Sequence, residues 1–264
     1  MQVWTIANQK GGVAKTTTSV SFAGIAAEEG LRVLLIDLDP HGSLTSWFSL
    51  VETGKSSSIF DLFDKRNELT LALLEEVIQP SAFENIDVIP SALVLATLER
   101  RAVGEGMGLV IKRALALVEH EYDLVLIDCP PQLGVLMVNA LAACDQLVIP
   151  VQTEYLAIQG LERMLNTLTM MQRSRGAPFN YCIVPVMYDK RTQASVQSLR
   201  QIRMDHEPST WPGKIPIDTR LRDASKAGLP INVFDKSARS ALAYHSLFTF
   251  LHRAANEARP EAVQ

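Results

Sequence analysis

Val3-Trp4-Thr5-Ile6-Ala7-Asn8-Gln9-Lys10-Gly11-Gly12-Val13-Ala14-Lys15-Thr16-Thr17-Thr18 reads as a strand, a glycine-containing turn and the start of a helix. The apolar β-type run ends at Ala7. Gly11 and Gly12 then let the backbone approach an anion closely, and Lys15-Thr16 follow where a helix N-terminus presents free N–H groups. The stretch is therefore a phosphate cradle: the Lys15 ammonium would hold terminal phosphate oxygens, and the Thr16 hydroxyl a magnesium ion. Against the general pattern G-x-x-x-x-G-K-[ST], Gln9 stands where the first glycine belongs and Ala14 where the last one belongs.

Working outward, Thr16 to Glu29 has the apolar content of a helix packed on a sheet, with Gly30 placed as its C-terminal glycine. Arg32-Val-Leu-Leu-Ile-Asp37 is a continuous apolar run of the kind buried on both faces in a parallel sheet. Strand, helix, strand is a βαβ unit, which predicts an α/β fold with a doubly wound, mostly parallel sheet flanked by helices. The second strand runs into Asp37-Leu38-Asp39-Pro40-His41-Gly42-Ser43, which puts two carboxylates at the strand edge where such folds bind ligands. His41 reads as an exposed turn histidine rather than a general base. A second strand, Tyr122-Asp-Leu-Val-Leu-Ile-Asp128-Cys-Pro130-Pro131, likewise carries apolar residues into an aspartate. That is the arrangement of a strand whose Asp128 reaches Mg²⁺ through a water.

Lys10-Gly11-Gly12-Val13-Ala14-Lys15-Thr16-Thr17, Asp37-Leu-Asp-Pro40 and Asp123–Pro131 together resemble the ParA/MinD family, whose deviant Walker A motif reads K-G-G-x-x-K-[ST]-T. The resemblance covers roughly the whole chain and implies a P-loop ATPase that binds ATP or ADP with Mg²⁺ and forms a nucleotide-sandwich dimer. It also implies residue roles. Lys10 would reach the partner's phosphates, Lys15 would neutralise developing charge and Asp39 would orient the attacking water. Thr16 and Asp128 would hold the metal, with Asp37 supporting the metal region, and residues 10–17 would cradle the phosphates. Met187 and Pro216 would lie near the adenine, although a core methionine is an equal reading of Met187. Ala14 qualifies the expectation of catalysis. A Cβ at this position carries backbone strain on the order of 1–3 kcal/mol, or about tenfold to a hundredfold in affinity if lost wholly from binding. A tolerated variant, a slow ATPase and an engineered change all remain open; the expectation is retained ATP binding with reduced turnover.

The family resemblance further implies a homodimer on ATP binding and a protein activator or cargo adaptor. It implies possible nonspecific DNA contact through Lys190, Arg191, Arg200, Arg203, Arg220 and Arg222, for which solvated helix faces are the equal alternative. The 37–43 run most resembles members that position chemotaxis arrays at cell poles; chromosome or plasmid partition and a non-hydrolysing nucleotide-gated scaffold are the alternatives.

The chain has 264 residues, 47% hydrophobic and 20% charged, enough for one large domain over 1–264 with a buried core. A formal net charge of −4 excludes a surface built throughout for nucleic acid, so any DNA affinity must be local. Cys129, Cys144 and Cys182 lack ligand or disulfide spacing. Without an N-terminal export signal, an apolar span or a basic amphipathic C-terminal extension, the expected location is the cytoplasm, with a pole and the nucleoid as the alternatives within it, and no membrane attachment is expected.

Further expectations are a loop over 52–58, helices at 59–63 and 69–78, and a strand at 85–90. Ser91 is expected to cap a helix over 92–98, Gly104–Gly108 to break it, and a helix to run over 109–119. A strand at 146–150 should lead into a helix over 154–171 with Leu156, Ile158, Leu161, Met164, Leu165, Leu168 and Met171 facing the core. A strand at 181–187 and a helix to Arg203 should follow, then a short strand at 214–217 and a closing helix capped by Ser237.

Overall fold

Continuous apolar runs cannot leave either face in water, so the sheet they form must be covered on both sides. The computed structural model, described for residues 1–50, 57–100 and 107–257, shows that arrangement. Its strands are β1 (Gln2–Ile6), β2 (Val33–Asp37), β3 (Gln79–Pro80), β4 (Ile86–Ile89), β5 (Leu124–Asp128), β6 (Gln146–Gln152) and β7 (Tyr181–Val186). They form one seven-stranded sheet in the order β3-β4-β2-β5-β1-β6-β7, parallel except for the two-residue edge strand β3. The helices are α1 (Lys15–Glu28), α2 (Ser43–Trp47), α3 (Ile59–Asp64), α4 (Leu71–Val77), α5 (Val110–Ala116), α6 (Val135–Ala143), α7 (Tyr155–Arg175), α8 (Gln193–His206), α9 (Arg220–Ala227), α10 (Ile231–Phe234) and α11 (Arg239–Glu257).

Strand alternation divides the core in two. Val3, Leu34 and Ile36 point into the layer filled from α3 to α8, whereas Trp4, Val33 and Leu35 point into the layer formed with α1, α2 and α9 to α11. Trp4 is fully buried there against Phe22 and Phe248. β1 sits between β5 and β6, which is where successive connections leave in opposite directions. The crevice at that switch point lies at the C-terminal strand ends. Register aligns Ile6 with Asp128 and Asp37 with Asp128, so the cradle and both strand-end carboxylates open onto one edge.

Several local expectations need correction. Residues 93–100 wind as a 3-10 helix, and Ser91 caps nothing: its hydroxyl donates to the Asp39 carbonyl at 2.6 Å and its N–H to Thr45 Oγ1 at 2.9 Å. α4 begins two residues late because the Thr70 hydroxyl caps it, accepting from Leu73 N–H at 3.2 Å. Residues 214–217 form no strand. Pro216 makes an isolated parallel bridge to Tyr188, whose N–H donates to the Ile215 carbonyl at 3.0 Å and whose carbonyl accepts from the Ile217 N–H at 2.9 Å. Ser237 donates its hydroxyl to Asp235 Oδ1 at 2.7 Å, and α11 starts beyond it. On α7, Leu161, Met164 and Leu168 are buried, but Leu156 is 62% exposed. The expectations for 51–56 and 101–106, and for the C-terminal residues 258–264, lie outside the described residues.

Candidate functional site

The cradle follows from its backbone. Gly12 has φ 71°, a left-handed conformation that glycine adopts without strain, and the turn then delivers Lys15 and Thr16 as the first residues of α1. Ala14 is the N-terminal cap residue of α1 and is itself left-handed, at φ 61° and ψ 30°. A side chain here carries the cost that the pattern's glycine avoids. Added Cβ atoms at Gly11 and Gly12 would meet nothing within 4 Å, so an open concavity of about 620 Å³ faces the helix start. Residues 11–17 line it together with Asp39, His41 and Pro131.

Lys15 is only 8% exposed, and its ammonium donates to the Lys10 carbonyl at 3.3 Å. A buried cation held by a neutral carbonyl, beside helix N–H groups, fits a phosphate group. Behind it, the Thr16 hydroxyl donates to Asp128 Oδ2 at 2.6 Å and the Ser19 hydroxyl to Asp128 Oδ1 at 3.2 Å. Burial, and then the charge of Asp37, push Asp128 up to about 8. Asp37 is pushed up to about 6 by burial. Its Oδ2 accepts from the Thr45 N–H and hydroxyl, at 2.8 and 2.7 Å, and its Oδ1 from the Asp39 N–H at 3.1 Å. Two raised carboxylates side by side form a site that gains from a cation. Among the described residues no group of three or more His, Cys, Asp or Glu side chains could hold a metal alone, so any ion there would need other oxygens as well.

Lys10 does not point outward. Its ammonium pairs with Glu154, at the start of α7, and its backbone N–H donates to Asn8 Oδ1 at 3.0 Å. Gly160 lies against it: a Cβ there would make an ordinary van der Waals contact of 3.7 Å with Lys10 Cβ. Glu154 was not legible from the sequence, because only the β1–β6 pairing carries it to the cradle.

Next to the cradle lies a second cavity of about 330 Å³, lined by Ala14 and Thr17, by Met187 and Pro216, and also by Trp47 and Arg222. Met187 is partly exposed and left-handed, at φ 55°; it lies at the cavity edge and also packs against the core. Of the basic residues considered for DNA, Arg191 pairs with Asp189 at 2.7 Å and Arg220 with Asp235 at 3.4 Å. Arg203 donates to the Pro212 and Gly213 carbonyls. Lys190 and Arg200 are exposed.

A glycine-turn cradle on the C-terminal edge of a doubly wound parallel sheet, backed by a Thr–Asp pair, defines the P-loop NTPase class. The AAA domain family model matches residues 1–180. The chain is 36% identical over 244 residues to the sporulation initiation inhibitor protein Soj of Bacillus subtilis, covering 92% of this chain and 94% of that protein. It is 33% identical to the chromosome-partitioning ATPase Soj of Treponema pallidum, over 91% of this chain and 92% of that one. Among solved structures, cobyrinic acid a,c-diamide synthase of Mycobacterium smegmatis with bound ATP analog and magnesium superposes with a TM-score of 0.82. It is 30% identical and covers 98% of this chain and 97% of that one. The chain belongs to the ParA-like ATPase family. No helix among the described residues is long and apolar enough to cross a membrane.

Proposed function

We propose that the chain is an ATP-dependent dimerisation switch of the cytoplasm that positions a cargo and hydrolyses ATP slowly until a partner stimulates it. The buried Lys15 ammonium, aimed at the cradle beside the Thr16–Asp128 pair, carries this reading. Mg²⁺–ATP, when bound, supplies the phosphoryl group and a cation that spreads its charge. The chain's own residues supply the rest. Residues 11–17 would hold phosphate oxygens through backbone N–H groups, Lys15 would neutralise charge, and Thr16 with Asp128 would hold the metal, Asp128 through a water. Asp37 is an indirect support, since its oxygens are taken by Thr45 and Asp39. Asp39 orients the attacking water, and Met187 and Pro216 flank the base. Lys10 serves the partner's phosphates, which requires it to leave Glu154. Hydrolysis therefore needs the dimer, a nucleotide sandwich.

The near full-length likeness to proteins named for chromosome partitioning favours chromosome or plasmid partition as the use of the switch. In that role nonspecific DNA is met through Lys190 and Arg200, helped by any of Arg191, Arg203, Arg220 and Arg222 that leave their partners. The Asp37–Ser43 run favours a second use, the positioning of polar chemotaxis arrays by way of a protein adaptor. Fluorescent tagging in the native cell separates them: nucleoid signal supports partition, polar foci support arrays. A phosphate-release assay with and without DNA tests the switch itself. Slow turnover that a partner raises is expected, whereas ATP binding with no turnover under any condition would make the chain a non-hydrolysing scaffold.

A further inference from the structure

One oxygen of Asp39 is already engaged. His41 donates its backbone N–H to Asp39 Oδ1 at 3.0 Å, and its ring Nδ1 lies 2.8 Å from the same oxygen. The loop carrying the pair is pinned. Asp39 donates its N–H to Asp37 Oδ1 at 3.1 Å, and the Asp39 carbonyl accepts from the Gly42 N–H at 2.8 Å and the Ser91 hydroxyl at 2.6 Å. The Asp39 side chain is 16% exposed, that of His41 76%, and both line the cradle.

A carboxylate torsion is broad and two-fold, so an unrestrained aspartate presents either oxygen to its surroundings. Two donors converging on Oδ1 remove that freedom and leave Oδ2 as the available acceptor. We infer that His41 is a positioning residue whose ring Nδ1–H holds Asp39 Oδ1 and so aims Oδ2 at the water used in phosphoryl transfer. The inference rests on the hydrolytic reading above. An ionised carboxylate only accepts, so the proton of the neutral ring sits on Nδ1 and Nε2 is left as the acceptor. The charged groups facing this part of the cradle are Lys15 on α1, Asp39 on the same loop, and Asp37 and Asp128 at the strand ends behind it. A pair this exposed adds little to folding stability, so its effect belongs to rate.

Two measurements on the full chain decide it. In ¹⁵N-histidine NMR at pH 8 without nucleotide, the His41 ring should be the Nδ1–H tautomer and should lose that preference in Asp39→Ala. An Nε2–H ring, or an unchanged spectrum in Asp39→Ala, overturns the pairing. In ATP hydrolysis, His41→Ala should lower kcat about fivefold to tenfold with KM and ATP affinity held within about twofold, and His41→Asn, which keeps a donor near the Nδ1 position, should recover most of it. An unchanged kcat in His41→Ala overturns the positioning role with the hydrolytic reading intact. Absence of hydrolysis in the unaltered chain sinks that reading and the role together, while the NMR result still decides the pairing.

Discussion

At the scale of single residues, Ala14 concentrates the conflict between local backbone and function. Its left-handed φ of 61° places a methyl group between the phosphate cradle and the neighbouring cavity, both of which it lines. Ala14→Gly removes strain of about 1 kcal/mol, net of glycine's chain entropy, and should raise the melting temperature by about 2–4 °C. Calorimetry should show tighter ATP binding in the same variant; equal affinity would mean the methyl group is no obstacle. Asp128 is the second residue with a measurable cost. Its folded pKa is raised to about 8 by burial and by Asp37, against about 3.9 unfolded, so the folded chain holds a proton that the unfolded chain has released. Its favourable contribution is fully present below about pH 4 and is lost as pH rises through 8. Asp128→Asn should therefore stabilise the nucleotide-free chain by about 1–3 kcal/mol at pH 8, and by less at pH 5, in urea unfolding. Asp37 and Asp128 were legible because apolar strands run directly into them, Asp39 because it follows Asp37 in the same turn, and Lys15 and Thr16 because the Gly11-Gly12 turn precedes a helix start. Glu154, Trp47 and Ser91 were not, since each reaches the site through contacts with distant parts of the chain, and no local pattern marks such a residue.

At the scale of elements, the site depends on where α1 is held. Gly24 faces Pro230 and Asn232 so closely that a Cβ would lie 2.4 Å from Pro230 Cβ and from Asn232 Oδ1, and Asn232 Nδ2 donates to the Gly24 carbonyl at 3.0 Å. A proline ring cannot yield, so Gly24→Ala should destabilise the fold by about 1–3 kcal/mol. A thermal melt lowered by several degrees, with weaker nucleotide binding as α1 shifts, is the expected result. The strands of the central sheet were readable because continuous apolar runs have no other soluble use. The segments from 91 to 100 and 214 to 217 were not: Ser91 bonds to the Asp39 loop instead of to its own helix, and residues 214–217 pair through the single bridge of Pro216 to Tyr188. Exposed Leu156 belongs to the same class of error, because helical periodicity marks an apolar stripe without saying how far neighbouring elements cover it.

At the scale of the whole molecule, the edge formed by β2, β5, β1 and β6 gathers the cradle, the paired aspartates and the Lys10–Glu154 ion pair. Lys10 is paired with Glu154 within its own chain, so in the proposed dimer it would exchange that anionic partner for bound phosphates. Lys10→Ala should keep ATP affinity within about threefold yet abolish ATP-dependent association, whereas Lys15→Ala should lose binding itself. The most direct measurement is light scattering on the size-exclusion peak with and without Mg²⁺–ATP. A nucleotide-gated dimer shifts from one chain mass to two with ATP, with no shift with ADP and none for Lys10→Ala. A mass unchanged by ATP in a chain that calorimetry shows to be saturated with it would contradict the switch.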